Sequence, residues 1–230
     1  MRRLLLFDID GTLVSGGPAK DAFHVALLEA FGTAGDIDGH DFSGKTDPQI
    51  ARELLVGAGL DHEAVDRGLP ILFAAYLREL EARLPSRPVR VLPGARRLVD
   101  VLADAEDVAL GLVTGNVAGG ADLKLGSAGL RDPFRIGGFG SDSEHRDDLP
   151  PVAIHRARAT WSVDFEPAQV WIVGDTPRDV QCARAHGLRC LAVSTGHFGA
   201  DALHEAGADQ VVESFEDTEA VVEVLVSSLP

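Results

Sequence analysis

Asp8 and Asp10 close the apolar run Leu4-Leu5-Leu6-Phe7, with Gly11 and Thr12 directly behind them. Two carboxylates so close in a tight turn can divide labour. One can attack an electrophile such as phosphorus while the other gives and takes the proton. Taken alone, the pair reads equally well as turn residues and a helix cap. Two later stretches end the same way: Leu110-Gly111-Leu112-Val113 stops at Thr114-Gly115-Asn116, and Val170-Trp171-Ile172-Val173 stops at Gly174-Asp175-Thr176-Pro177-Arg178-Asp179. The last of these is also a well-formed helix start, with a hydroxyl cap, proline and an acid in the first turn. Thr114-Gly115-Asn116 could likewise cap a helix. Three apolar runs that all end in polar residues point to one shared site.

The residue types indicate its chemistry. Asp8, Asp175 and Asp179 together concentrate negative charge, which favours a hard cation among them. Oxygen donors without His or Cys point to Mg²⁺. The Thr114 hydroxyl and the amides around Gly115 and Asn116, at a helix start, suit phosphate oxygens.

These residues need a sheet to bring them together. Apolar runs bounded by acid and glycine read as buried parallel strands, whose carboxyl ends share one edge. From Pro93 onward helical and strand patterns alternate, with a weak strand over Phe134 to Phe139. That alternation predicts an α/β fold with a doubly wound parallel sheet. Nothing between the breaker clusters Ser15–Pro18 and Pro85–Pro88 resembles a strand. The expected organisation is therefore an α/β core over 1–15 and 87–230 with an all-helical cap over 16–86. Within the cap, helices are expected over Asp21–Phe31, from Thr46-Asp47-Pro48-Gln49, over Asp61–Arg67, and from Pro70.

Composition narrows the function classes. The 230 residues are 45% hydrophobic and 25% charged, ordinary for a globular chain with a real core. A net charge of −15 argues against nucleic-acid binding, since no basic stripe is present to displace counterions. Two isolated cysteines and scattered histidines give no zinc motif or disulfide framework. No apolar stretch suits a signal peptide or a membrane span, so a cytoplasmic protein is expected, with no membrane partner. Oligomeric state stays open between monomer and dimer.

Asp8-Ile9-Asp10-Gly11-Thr12, with Thr114 and the Gly174-Asp175…Asp179 segment, resembles the haloacid-dehalogenase-like hydrolase superfamily. The run from Gly174 to Gly196 is similar to the phosphoglycolate-phosphatase-like branch. The resemblance implies Asp8 as nucleophile, Asp10 as general acid/base, and Thr114 as phosphate ligand. It implies a Mg²⁺ site on Asp8, Asp175, Asp179 and the Asp10 carbonyl. Gly44-Lys45-Thr46-Asp47 resembles the cap's substrate loop, with Lys45 and Thr46 as the contacts. The family's third motif usually offers a lysine, yet none follows Lys124, and Arg146 is the nearest basic candidate. A plain exposed arginine pairing with Glu144 or Asp148 is the other reading of that residue.

The implied activity is Mg²⁺-dependent hydrolysis of a small phosphorylated metabolite through an aspartyl-phosphate. A phosphomutase of the same architecture is the nearest alternative. A receiver-like phospho-acceptor module is more remote, because it needs neither the helical insert nor an acid two residues beyond the acceptor. Dehalogenation requires no metal cluster and is disfavoured.

Overall fold

The computed structural model describes residues 3–226. Strand β1 (Arg3–Phe7) is buried at every position. A short apolar run without polar alternation suits a strand covered on both faces, and β1 lies mid-sheet. Its neighbours are β4 (Val108–Thr114) and β6 (Val170–Gly174), with Leu5 opposite Leu110 on one side and Trp171 on the other. Strands β5 (Ile136–Phe139), β7 (Arg189–Val193) and β8 (Gln210–Val212) complete six parallel strands in the order β5-β4-β1-β6-β7-β8.

Side-chain alternation along β1 divides the interior in two. Leu5 and Phe7 join Leu110, Leu112, Trp171 and Val173 on one face, while Leu4 and Leu6 join Val113, Val170 and Ile172 on the other. Helices α4 (Ala95–Ala103), α5 (Ala118–Ala128), α6 (Leu149–Trp161), α7 (Pro177–Arg184), α8 (Ala200–Ala206) and α9 (Thr218–Val226) lie between or after the strands. Parallel strands require such crossovers, which also cover both faces. Cys182 and Cys190 are buried free thiols. No described helix is long and apolar enough to cross a membrane.

Three helices stand between β1 and the rest of the sheet: α1 (Ala19–Phe31), α2 (Asp47–Gly57) and α3 (His62–Arg83). They leave and rejoin the chain through a two-stranded antiparallel ribbon, β2 (Val14–Ser15) with β3 (Arg90–Val91). Two-residue strands are too short to leave a periodic pattern in sequence. The helices share the interior of the sheet face that holds Leu5 and Phe7: Phe23, Leu27, Leu72 and Tyr76 belong to that same cluster. The Phe23 and Tyr76 rings meet edge to face at 5.2 Å.

One expectation fails here. A short helix over Asp61–Arg67 and a second from Pro70 are instead one continuous helix, α3, with Pro70 inside it. Asp61 caps it by accepting from the Ala64 amide at 2.7 Å. Val65, Gly68, Leu72, Ala75, Tyr76 and Leu80 form a buried stripe that runs through the proline. Each leucine-sized burial is worth about 1.5–3 kcal/mol, so several together outweigh the roughly 3 kcal/mol cost of an internal proline. Pro70 and Asp66 both lie on the exposed side. The Asp66 carbonyl, denied its usual amide, can turn to water there.

Candidate active site

Because β4, β1 and β6 are adjacent and parallel, Thr114, Asp8 and Asp175 emerge together at one sheet edge. The turn after β1 is closed by the Gly11 amide donating to Val14 O at 2.8 Å. Gly11 has φ +88°, and a Cβ there would lie 2.2 Å from an Asp175 carboxylate oxygen. Only glycine lets the two turns approach this closely.

Asp8, Asp175 and Asp179 each offer a carboxylate oxygen, all within 4.8 Å of one another, and all three residues are buried. Asp179 is the third helical residue of α7. Its Oδ2 accepts from the Thr176 amide at 3.0 Å and hydroxyl at 2.7 Å, while the Thr176 hydroxyl accepts in return from the Asp179 amide. The sequence allowed Asp179 either a helix start or a place with Asp8 and Asp175, and the fold gives it both positions. The Thr12 hydroxyl donates to Asp175 Oδ1 at 3.2 Å.

Arg146 lies in the turn before α6, buried to 7% exposure. Its Nη2 stands 3.2 Å from Asp8 Oδ1 and also pairs with Asp179, and its Nη1 donates to Gly44 O at 3.2 Å. The alternative partners are occupied elsewhere. Glu144 accepts from Arg52 Nε, and Asp148 accepts from Ser143. The carboxylates hold the Arg146 guanidinium's affinity for its proton well above the ordinary value.

Burial dominates the acids. It pushes Asp8 up to about 6, against the Arg146 charge, with Asp179 and Asp10 adding repulsion. Asp175 is pushed up to about 8 by burial, then by Asp179 and Asp8. A set of buried oxygen donors strained by its own charge is what a hard divalent cation relieves. The cluster therefore fits a metal of that kind.

Asp10 points elsewhere. Its side chain is 44% exposed, against 7% for Asp8. Its Oδ2 accepts from Asn116 Nδ2 at 2.8 Å and from Lys124 Nζ at 2.7 Å. Asn116 also donates to Thr114 Oγ1 at 2.8 Å and accepts from Lys124 at 2.6 Å. Lys124 lies upstream of the place where the resemblance calls for a lysine, and it is not among the expected site residues. A signal was present: with Val117, Ala121 and Leu125, Lys124 falls on the core-facing side of α5.

These groups line a cavity of about 380 Å³ that also exposes Lys45, Asp47, Phe23 and Tyr76 from the helical insert. Gly115 is pressed against the insert: a Cβ there would lie 2.1 Å from Lys45 O, and its carbonyl accepts from the Asp47 amide at 2.8 Å. Asp47 Oδ2 accepts from the Val117 amide at 2.8 Å, and burial pushes this carboxyl up to about 6. Lys45 faces the cavity while paired with Glu53 at 2.5 Å. Thr46 stays out. It is fully buried, accepts from the Gln49 amide as the α2 cap, and donates its hydroxyl to Glu144 O at 2.6 Å.

A family profile described as haloacid dehalogenase-like hydrolase matches residues 5–193. The chain belongs to that family. Like other haloacid dehalogenase-like hydrolases of its kind it is an enzyme, a phosphatase-type hydrolase. It is 29% identical over 223 residues to a phosphoglycolate phosphatase of Pseudomonas syringae pv. tomato, covering 92% of this chain and 76% of that one. A phosphoglycolate phosphatase of Synechococcus elongatus is 30% identical over 214 residues, covering 93% of both. Among solved structures, a hydrolase from Pseudomonas syringae superposes with TM-score 0.72 at 20% identity, covering 98% of this chain and all of that one. A provisionally named β-phosphoglucomutase of Thermotoga maritima gives TM-score 0.62 at 17% identity, with 98% and 100% covered. Identities this low carry the fold of a haloacid dehalogenase-like hydrolase and nothing finer.

Proposed function

We propose that the chain hydrolyses the phosphate monoester of a small metabolite, with Mg²⁺ as cofactor and Asp8 as nucleophile. The observation that carries this reading is the Asp8 carboxylate itself. It is held by Arg146 within an acidic cluster, at the wall of a cavity shared with Thr114.

Asp8 attacks phosphorus, and the ester oxygen departs with a proton from Asp10, leaving an aspartyl-phosphate. Asp10 then takes a proton from water as the water oxygen bonds to phosphorus and the Asp8–phosphorus bond breaks. Thr114 Oγ1 accepts from Asn116, so its own proton is available to a phosphate oxygen. The amides of Gly115 and Asn116 lie at the same end, before the α5 helix. Arg146 fixes Asp8 and offsets the charge that gathers on the phosphoryl oxygens. Asp8, Asp175 and the Asp10 carbonyl would hold Mg²⁺. Asp179, both of whose oxygens already accept hydrogen bonds, adds charge and secures Arg146. When bound, the cation supplies Lewis-acid stabilisation of the phosphoryl oxygens.

The insert, with Lys45 on its cavity wall, acts as the cap that selects the leaving group. Phosphoglycolate is the first substrate to test, given the names of the relatives. The experiment is a screen of phosphorylated metabolites with and without Mg²⁺, followed by acid-quench trapping of the phosphoenzyme. Turnover that persists in chelator, or that never labels Asp8, defeats the reading. A phosphomutase would instead be stimulated by its sugar bisphosphate and return an isomer rather than inorganic phosphate.

A further inference from the structure

A carboxylate as exposed as Asp10, two residues beyond a buried acidic cluster, is free to rotate unless something holds it. The two donors to it converge on a single atom: Lys124 Nζ and Asn116 Nδ2 both contact Oδ2. They also contact each other, at 2.6 Å, so the three side chains close a triangle. Lys124 is almost wholly buried, its side chain 5% exposed. A buried ammonium is costly unless it is paired and hydrogen-bonded, and this pairing is spent on a carboxylate that could otherwise face solvent. Among the described residues, no hydrogen bond reaches Oδ1.

We infer that Lys124 is a positioning residue that, with Asn116, pins Asp10 by Oδ2 so that Oδ1 is the atom that carries the proton. The inference rests on the acid/base role proposed for Asp10. In the first half-reaction the Oδ1 proton passes to the ester oxygen as the P–O bond breaks. In the second, Oδ1 receives a proton from the water that attacks phosphorus. The same triangle reaches the phosphate end of the site, because Asn116 also holds Thr114 Oγ1. The atom that moves the proton and the hydroxyl facing the phosphate are thereby kept in one register. Arg146 serves the other carboxylates, so the site divides its two buried cations between its two chemical tasks.

The test compares kcat/KM for an alkyl phosphate, whose departing oxygen needs the proton, with that for p-nitrophenyl phosphate, whose departing oxygen needs it far less. This parameter reports the steps up to loss of the leaving group, which are the ones concerned. Lys124→Met should lose about 10²-fold on the alkyl ester, the scale of a misplaced catalytic group, and only a few-fold on the aryl ester. Lys124→Gln, which keeps a hydrogen-bond donor and guards against a misfolded Met variant, should show the same split to a smaller degree. Equal losses on both esters would mean a merely structural lysine and overturn the inference, as would no loss on either. Asp10→Asn separates the two levels. If it shows the split and the Lys124 variants do not, the positioning inference alone falls. If Asp10→Asn shows no split, the acid/base reading falls and takes the inference with it.

Discussion

Asp8 and Asp10 are the same residue type, two positions apart, yet they occupy opposite environments. Asp8 is buried among Asp175, Asp179 and Arg146, and desolvation pushes it to about 6. Asp10 lies half in the open cavity and meets a lysine and an amide instead. Both lie beyond the end of β1, and the tight turn at Gly11 sends the two side chains to different places, where different neighbours meet them. A nucleophile must be aimed, kept from bulk water and relieved of charge repulsion. An acid/base must instead meet the leaving group and then water. The comparison teaches that a two-residue motif is only an address: partners drawn from β4, α5, α6 and α7 decide what each acid does there.

The sharpest way to break the contrast is to remove the proposed nucleophile. Asp8→Asn should abolish turnover and phosphoenzyme trapping while leaving the thermal transition in place, since it removes a repelled charge from the cluster. Measurable phosphoenzyme in that variant would assign the attack to another group.

Next in size is Arg146→Ala. It should lower kcat by roughly 10²–10³-fold, as loss of one preorganised donor does, and also lower Tm. Breaking a buried pair costs about 3–5 kcal/mol because the partner charge stays behind, and here two carboxylates are left. Arg146→Lys should restore part of the activity, because one ammonium can take the place of the Nη2 that meets Asp8 and Asp179 but cannot also supply the second nitrogen that donates to Gly44 O. A wild-type rate for Arg146→Ala would move the required cation elsewhere.

The third prediction concerns protons and metal. Asp8 and Asp175 have folded pKa values raised from 3.8 to about 6 and about 8. Through that window the native state binds more protons than the unfolded chain, so stability falls as pH rises. The metal-free protein should therefore lose Tm progressively from about pH 4 to about pH 8. Mg²⁺ at about 100 times its Kd should add about 2.7 kcal/mol and flatten the slope, because it takes the place of those protons. Calorimetry with and without chelator, across that range, checks both. Parallel curves with and without Mg²⁺ would place the metal away from the cluster.

The smallest effect is expected from the cap. Lys45 is already neutralised by Glu53, so Lys45→Ala should alter KM and substrate preference several-fold while kcat on the aryl ester and the metal's apparent affinity hold steady. Identical kinetics across a panel of phosphate esters would leave Lys45 with a structural role only, its pairing to Glu53.

Much of this site was legible because its chemistry sits where apolar strands stop, and that pattern is local. Asp8, Thr114 and Asp175 needed only parallel pairing to meet at one edge. Arg146 was reachable through the resemblance, whose third motif calls for a cation after β5, where Arg146 is the first basic side chain apart from His145. Lys124 matches no motif, and only its place on the apolar side of α5 marks it in the sequence. Its burial depends on which face of α5 turns toward Asp10, a tertiary fact. Thr46 carried two readings, a helix cap from its spacing and a substrate contact from the resemblance of its loop, and its buried side chain takes the first. Pro70 misled, because the local cost of a proline was visible and the long-range packing that outweighs it was not.

The β2–β3 ribbon bears on how the chain assembles. The sheet's central pairing joins Leu5 to Leu110, more than a hundred residues away. Loop-closure entropy grows as 3/2 RT ln n, so a pairing that distant forms slowly if the intervening chain is slack. The insert is a local helical unit whose entry and exit already lie side by side at Ser15 and Arg90. Once it has formed, the effective loop between β1 and β4 shrinks to about a third of its length, a saving of about 1 kcal/mol. The helices that roof the cavity thus also act as a clamp on the folding search. Loosening them, for example with Leu72→Ala, should slow refolding in a stopped-flow dilution even though every residue of the site is untouched.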